Sequence, residues 1–91
     1  MLIAKKIIVR GRVQGVGFRY STKIIADKLG IQGNVWNKSD GSVHIEAQAE
    51  SDAMSDFISK ISMSPSPYAR IDSVDSEDIP VNEHLHHFRA L

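Results

Sequence analysis

Residues 42–49 alternate without a break. Val43, Ile45, Ala47 and Ala49 are apolar, and Ser42, His44, Glu46 and Gln48 between them are polar. A strand places successive side chains on opposite faces, so the pattern predicts a sheet with one face in a core and its polar face in water. A one-sided sheet needs a second layer to cover it. Two segments carry apolar stripes at helical spacing. Phe18, Thr22, Ile25 and Leu29 step by 4, 3 and 4 residues within 18–29, and Met54, Phe57, Ile58 and Ile61 follow i, i+3, i+4, i+7. Gly30 suits a left-handed C-cap for the first helix. Ser51 is expected to cap the second, with Asp52 favourably placed in its first turn. Ser64-Pro65-Ser66-Pro67 ends that helix, because proline cannot continue it.

The remaining strands fit around these elements. In 5–14, Ile7, Val9, Gly11 and Val13 share one face, and Lys6, Ile8, Arg10 and Arg12 the other. Residues 31–37 form a second strand, with Ile31, Val35 and Asn37 on one face. Lys38-Ser39-Asp40-Gly41 connects it to 42–49 as a hairpin, Asp-Gly being a strong turn signal. A fourth strand covers 69–77, where Ile71 and Val74 lie three apart; a β-bulge accounts for that spacing. Residues 78–83 are read as a loop, and 86–91 as a short fifth edge strand through Phe88 and Ala90. The order β-α-β-β-α-β predicts a ferredoxin-like α/β (α+β) sandwich, with two helices on one face of a mainly antiparallel sheet and right-handed crossovers. At 91 residues the chain is expected to be one domain, 1–91, with a small core.

The chain has no cysteine. That excludes disulfides, thiolate metal sites, iron–sulfur clusters and a cysteine nucleophile. Eleven basic residues balance eleven acidic ones, so the chain lacks the overall basic field of a nucleic-acid binder. No apolar run reaches the roughly 18 residues of a membrane span. Charge interrupts the first ten residues, which lack signal-peptide order. A cytoplasmic protein, complete in this chain and without membrane or nucleic-acid partners, is the expectation.

The chemistry concentrates in Gly11-Arg12-Val13-Gln14-Gly15-Val16-Gly17-Phe18-Arg19. A strand ends, a glycine-rich turn follows and a helix begins, with an arginine in its first turn. Glycines let backbone N–H groups converge, and a helix N-terminus adds unpaired donors and partial positive charge. Arg19 adds a planar fork that matches phosphate oxygens. The turn is therefore a candidate anion cradle. Equally, its glycines can serve the turn alone, with Arg19 paired to a surface acid. It is no Walker A loop, because no Lys-Ser or Lys-Thr follows, and it lacks the third glycine of a dinucleotide site. His84, His86 and His87, with His44, read as solvated residues rather than a metal site. Asp72, Asp75, Glu77 and Asp78 read as a solvated face. Trp36 alone is too little aromatic surface for a nucleic-acid platform.

The 11–19 stretch resembles the signature of the acylphosphatase family. Residues 29–43, Leu-Gly-Ile-Gln-Gly-Asn-Val-Trp-Asn-Lys-Ser-Asp-Gly-Ser-Val, resemble that family's second signature at the right distance. Residues 69–74 and Phe88-Arg89 match weaker family features. The resemblance implies an enzyme that hydrolyses acyl phosphates to a carboxylate and inorganic phosphate. It implies that Arg19 binds the phosphate, with Gln14, Gly15, Val16, Gly17 and Phe18 around it, and that Asn37 positions the attacking water. From its residue type alone, Asn37 could equally be a turn residue bonding its own backbone. No metal and no cofactor are implied. Inorganic phosphate is expected to be product and competitive inhibitor, and the enzyme a monomer. A non-catalytic anion-binding or regulatory domain of the same fold is the alternative. Two departures stand out. Asn34 and Trp36 replace the family's usual residues, but alternation puts them on the face opposite Asn37. Ser64-Pro65-Ser66-Pro67 stands where the family has Gly-Pro-Pro, which leaves that loop's shape open.

Overall fold

The computed structural model describes residues 1–91. Strand β1 spans Leu2–Arg12, helix α1 Phe18–Leu29, β2 Gln32–Asn37, β3 Val43–Glu50, α2 Ser51–Ser62, β4 Arg70–Ile79 and β5 Phe88–Ala90. The strands form one mixed sheet in the order β4-β1-β3-β2-β5. Neighbours are antiparallel except β5, which runs parallel to β2. The predicted sandwich and its short fifth edge strand are both present.

The core lies between the sheet and the two helices. Ile7, Val9, Val35, Val43 and Ile45 from the strands meet Phe18, Ala26, Met54, Phe57 and Ile61 from the helices. Phe57 meets Phe88 of β5 edge-on, with ring centroids 6.0 Å apart, a favoured aromatic geometry. Gly30 caps α1 in the left-handed region, as expected. The spacing of Ile71 and Val74 has the expected cause. Arg10 faces Ser73 and Gly11 faces Ile71, so Asp72 is the extra residue of a bulge. Val74 pairs with Val9 and Ile71 with Gly11, and both apolar residues stay on the core side.

Two expectations are corrected. Ser51 does not cap α2; it is the helix's first residue, and Glu50, extended at φ −61°, ψ 151°, is the cap. Strand β3 runs straight into the helix, and Glu50 is still paired with Leu2, so the capping position falls on a strand residue. The polar face of β3 is also not all in water. His44 is 8% exposed and Gln48 2%. Gln48 is covered by the loop after β4: its Nε2 donates to Asn82 O at 3.0 Å, and its Oε1 accepts from Asn82 N–H at 2.7 Å. His44 lies against Trp36, with ring centroids 5.9 Å apart. An alternating strand shows which face is polar, but not which loop folds across it.

Gly33 is the second residue of β2, where it faces Ala47 of β3 and Phe88 of β5. At φ +145° a Cβ would lie 1.8 Å from the Glu46 carbonyl oxygen, which belongs to the sheet backbone and cannot give way. Gly41, also at positive φ, faces open space. Gly33→Ala is expected to cost at least about 2 kcal/mol and Gly41→Ala about 1 kcal/mol. Urea unfolding of the two variants measures both, and equal costs would show that the close approach at Gly33 is unimportant.

Candidate active site

Four separate segments meet at one end of the sheet. Strand β1 ends there at Arg12. Val9 of β1 faces Val43 of β3, and Val43 faces Asn37 of β2, so the 38–42 hairpin turns back beside the chain leaving β1. Arg70 begins β4 opposite Arg12, which brings the loop between α2 and β4 to the same end. Strand β5 runs parallel to β2 and delivers Leu91, whose N–H donates to Val35 O at 2.8 Å.

The 13–17 turn is built from the core outward. Val13 and Phe18 are buried on either side of it, at 2% and 1% exposure, so the chain between them must loop out in four residues. Gly15 and Gly17 both take left-handed backbone, φ +72° and +79°. Gly17 is the N-cap of α1 and brings no side-chain cap. Its carbonyl accepts the helix's first bond, from Ser21 N–H at 3.0 Å. The N–H groups of Gly15, Val16 and Gly17 donate to no acceptor within the protein, and the first-turn donors of α1 have no partner one turn back. No acidic side chain stands in that turn to compete for them.

Arg19 is half-buried, and its Nη1 donates to the main-chain oxygen of Leu91. It forms no ion pair with an acidic side chain, which sets aside the surface-acid reading. Leu91 is itself bonded to β2, so Arg19 is anchored toward the end of the strand that carries Asn37. Asn37 closes β2 with its side chain exposed. It does not brace the turn that follows. That work falls to Asp40, whose Oδ1 accepts from Ser42 N–H at 3.0 Å and Ser42 Oγ–H at 2.6 Å.

Gln14 proves to have a role its sequence position does not announce. Its Nε2 donates to Lys38 O at 2.7 Å and Ser42 O at 3.0 Å. The side chain thus ties the turn to the Asn37 hairpin. Ser66 belongs to the proline stretch that ends α2. It is buried, and its Oγ donates to Val16 O. No pattern marks either residue as a brace, because each bond joins segments far apart in the chain.

The weaker candidates do not converge. No three His, Asp or Glu side chains are placed to hold a metal ion. Asp72, Asp75 and Asp78 pair with Arg70, Arg10 and Lys5 on an exposed edge, the solvated face expected of them. Trp36 faces His44 and Asn34 faces Glu46 on the outer sheet face, away from the core-facing Val35. The largest hollow, about 440 Å³, lies between α1 and residues 86–88. None of the hollows is lined by residues 14–19, where Gly15 and Gly17 are exposed.

Beside the hairpin, the Ser42 hydroxyl and N–H hold the Asp40 carboxyl below its usual range. Burial holds His44 below its usual value, with the positive charges of Lys38 and Lys6 adding to the effect.

Two helices on a five-stranded mixed sheet are an architecture shared with proteins of known family. The acylphosphatase family model matches residues 5–90. An acylphosphatase of Ligilactobacillus salivarius is 57% identical over 76 residues, covering 84% of each chain. One from Enterococcus faecalis is 52% identical over 83 residues, covering 91% of each. The crystal structure of the Bacillus subtilis acylphosphatase superposes with a TM-score of 0.93 at 36% identity, over 100% of this chain and 99% of that one. The chain belongs to the acylphosphatase family.

The His44 environment carries a pH dependence. The folded protein favours neutral His44, whereas the unfolded chain takes up the proton near pH 6.5. The associated stability is therefore full above about pH 6.5 and is lost as pH falls from there through the lowered folded value. The melting-temperature difference between the wild type and His44→Gln is expected to shift against the wild type from pH 7.5 to pH 5. A pH-independent difference would contradict the burial effect.

Proposed function

We propose that residues 14–19 and Asn37 carry out the reaction that defines an acylphosphatase, hydrolysis of a carboxyl–phosphate anhydride to carboxylate and inorganic phosphate. The observation that carries the reading is the set of unpartnered N–H groups at Gly15, Val16 and Gly17, next to the start of α1 and to Arg19. Donors fixed in advance, with one guanidinium, suit a phosphoryl group whose negative charge sits on its equatorial oxygens. The leaving carboxylate is stable and needs little protonation. Water held by the Asn37 amide, which both donates and accepts, attacks phosphorus in line. The P–O bond to the acyl group breaks, its electron pair leaves with the carboxylate, and a phosphoryl oxygen takes the proton from water. The substrate is a small acyl phosphate, and inorganic phosphate occupies the same cradle as product and competitive inhibitor. In this reading the chain works as one unit over residues 1–91 and as a monomer. The cytoplasm is its proposed place of action. Gln14 holds the cradle and the water-positioning hairpin in register.

Arg19→Ala is expected to lower turnover of a small acyl phosphate by at least about 10²-fold and to weaken phosphate inhibition strongly. Asn37→Ala is expected to lower kcat by a similar factor with little change in phosphate inhibition, since it contacts the water. Steady-state kinetics with phosphate as inhibitor test both. A folded Arg19→Ala that retains most activity removes Arg19 from the site, and an Asn37→Ala effect on KM alone makes Asn37 a phosphate ligand.

Backbone donors and one guanidinium can supply the stabilisation that a metal gives elsewhere. Turnover is therefore expected to be unchanged, within about twofold, after exhaustive chelation. Loss of activity with unchanged circular dichroism, restored by zinc or magnesium, would overturn the metal-free mechanism.

A further inference from the structure

Ser66 has the features of a built-in support. It lies in the loop between α2 and β4 and is 2% exposed. The loop is closed on itself around it. Ser64 holds left-handed backbone at φ +61°, rare for a side-chain-bearing residue. Its hydroxyl donates to Ala69 O at 2.7 Å, and Ala69 N–H donates to Ser66 O at 3.1 Å. Pro65 and Pro67 flank Ser66 and limit the backbone further. From this rigid loop the Ser66 hydroxyl reaches across to donate to Val16 O, the carbonyl between the two left-handed glycines of the turn.

The consequence follows from peptide geometry. A trans peptide is planar and points its C=O and N–H in opposite directions, and no peptide bond in the protein is cis. With Val16 O turned to the buried hydroxyl, Gly17 N–H is aimed the other way, where it donates to nothing in the protein. No other hydrogen bond in the protein holds that peptide. Gly17 rotates about φ at low cost, and it brings no side chain to cap α1. Ser66 Oγ lies 3.9 Å from the position a Gly17 Cβ would take, so the two residues are neighbours. We propose that Ser66 is a positioning residue that holds the Val16–Gly17 peptide with its N–H directed at the phosphoryl group. Without the hydroxyl, the peptide rotates and the cradle presents one aligned donor fewer. This inference rests on the reading of residues 15–19 as the phosphoryl cradle.

The test combines kinetics with two-dimensional ¹⁵N–¹H NMR of the full chain titrated with inorganic phosphate. In the wild type, phosphate is expected to shift the amide signals of residues 15–19. In Ser66→Ala, kcat for a small acyl phosphate is expected to fall about tenfold, with KM changed less. The phosphate-induced shift of Gly17 is expected to shrink selectively, with those of Phe18 and Arg19 retained. Ser66→Cys keeps the size with a weaker donor; an intermediate loss of about threefold is expected, and this variant serves if the alanine variant does not fold. A purely structural role would lower the melting temperature while leaving kcat and the Gly17 shift unchanged, and that result overturns the proposal. If phosphate shifts none of residues 15–19 in the wild type, the cradle reading fails first and the proposal with it.

Discussion

The pairing of β1 with β3 governs what this chain can do. Ile7 faces Ile45 and Val9 faces Val43, all four buried, and the register is locked because a one-residue slip would turn the apolar set to the wrong face. That register decides where β1 ends relative to the hairpin. With Val43 also facing Asn37, the chain leaving β1 has the hairpin for a neighbour, and Gln14 can reach two of its carbonyls. The bulge at Asp72 sets the start of β4 opposite Arg12 and so brings Ser66 within reach of Val16. The placement of the functional end is thus a consequence of core packing elsewhere.

The proposed site uses few side chains. Its candidate donors are mostly main-chain groups that a glycine turn and a helix start leave unpaired, and the side chains around them form hydrogen bonds that tie the segments together. Gln14 ties the turn to the hairpin, Asp40 braces the hairpin, and Leu91 of the β5 segment holds the Arg19 guanidinium. Such a site has little need of depth, which agrees with the largest hollow lying elsewhere on the surface. It also accords with a neutral chain. Arg19 beside oriented N–H groups gives local positive potential without an overall basic field.

Much was legible in the residues themselves. Apolar periodicity located the strands and both helices, and a bulge was the explanation offered for the three-residue gap between Ile71 and Val74; the strand ends were less legible, since β1 begins at Leu2 rather than Lys5 and β4 runs on to Ile79 through residues read as a loop. Arg19 and Asn37 were singled out through resemblance to a family; chemistry alone made the turn a candidate anion site and left Asn37 undistinguished from a turn residue. The Ser51 cap was misread for a local reason. A good capping residue was present, but β3 keeps its last residue in the sheet and passes directly into the helix, leaving the cap to Glu50.

The sequence by itself determined the element order, the buried face of each strand and the turn able to expose main-chain donors. These depend on the spacing of side chains within one segment and on the conformational freedom of glycine, which are local properties. The tertiary structure alone decided that Gln48 is sealed by the loop after β4, that His44 is buried beside Trp36, and that Gln14 and Ser66 are braces. Each of these joins residues that no periodicity relates, and a hydrogen bond between distant segments leaves no pattern along the chain until packing brings its two ends together.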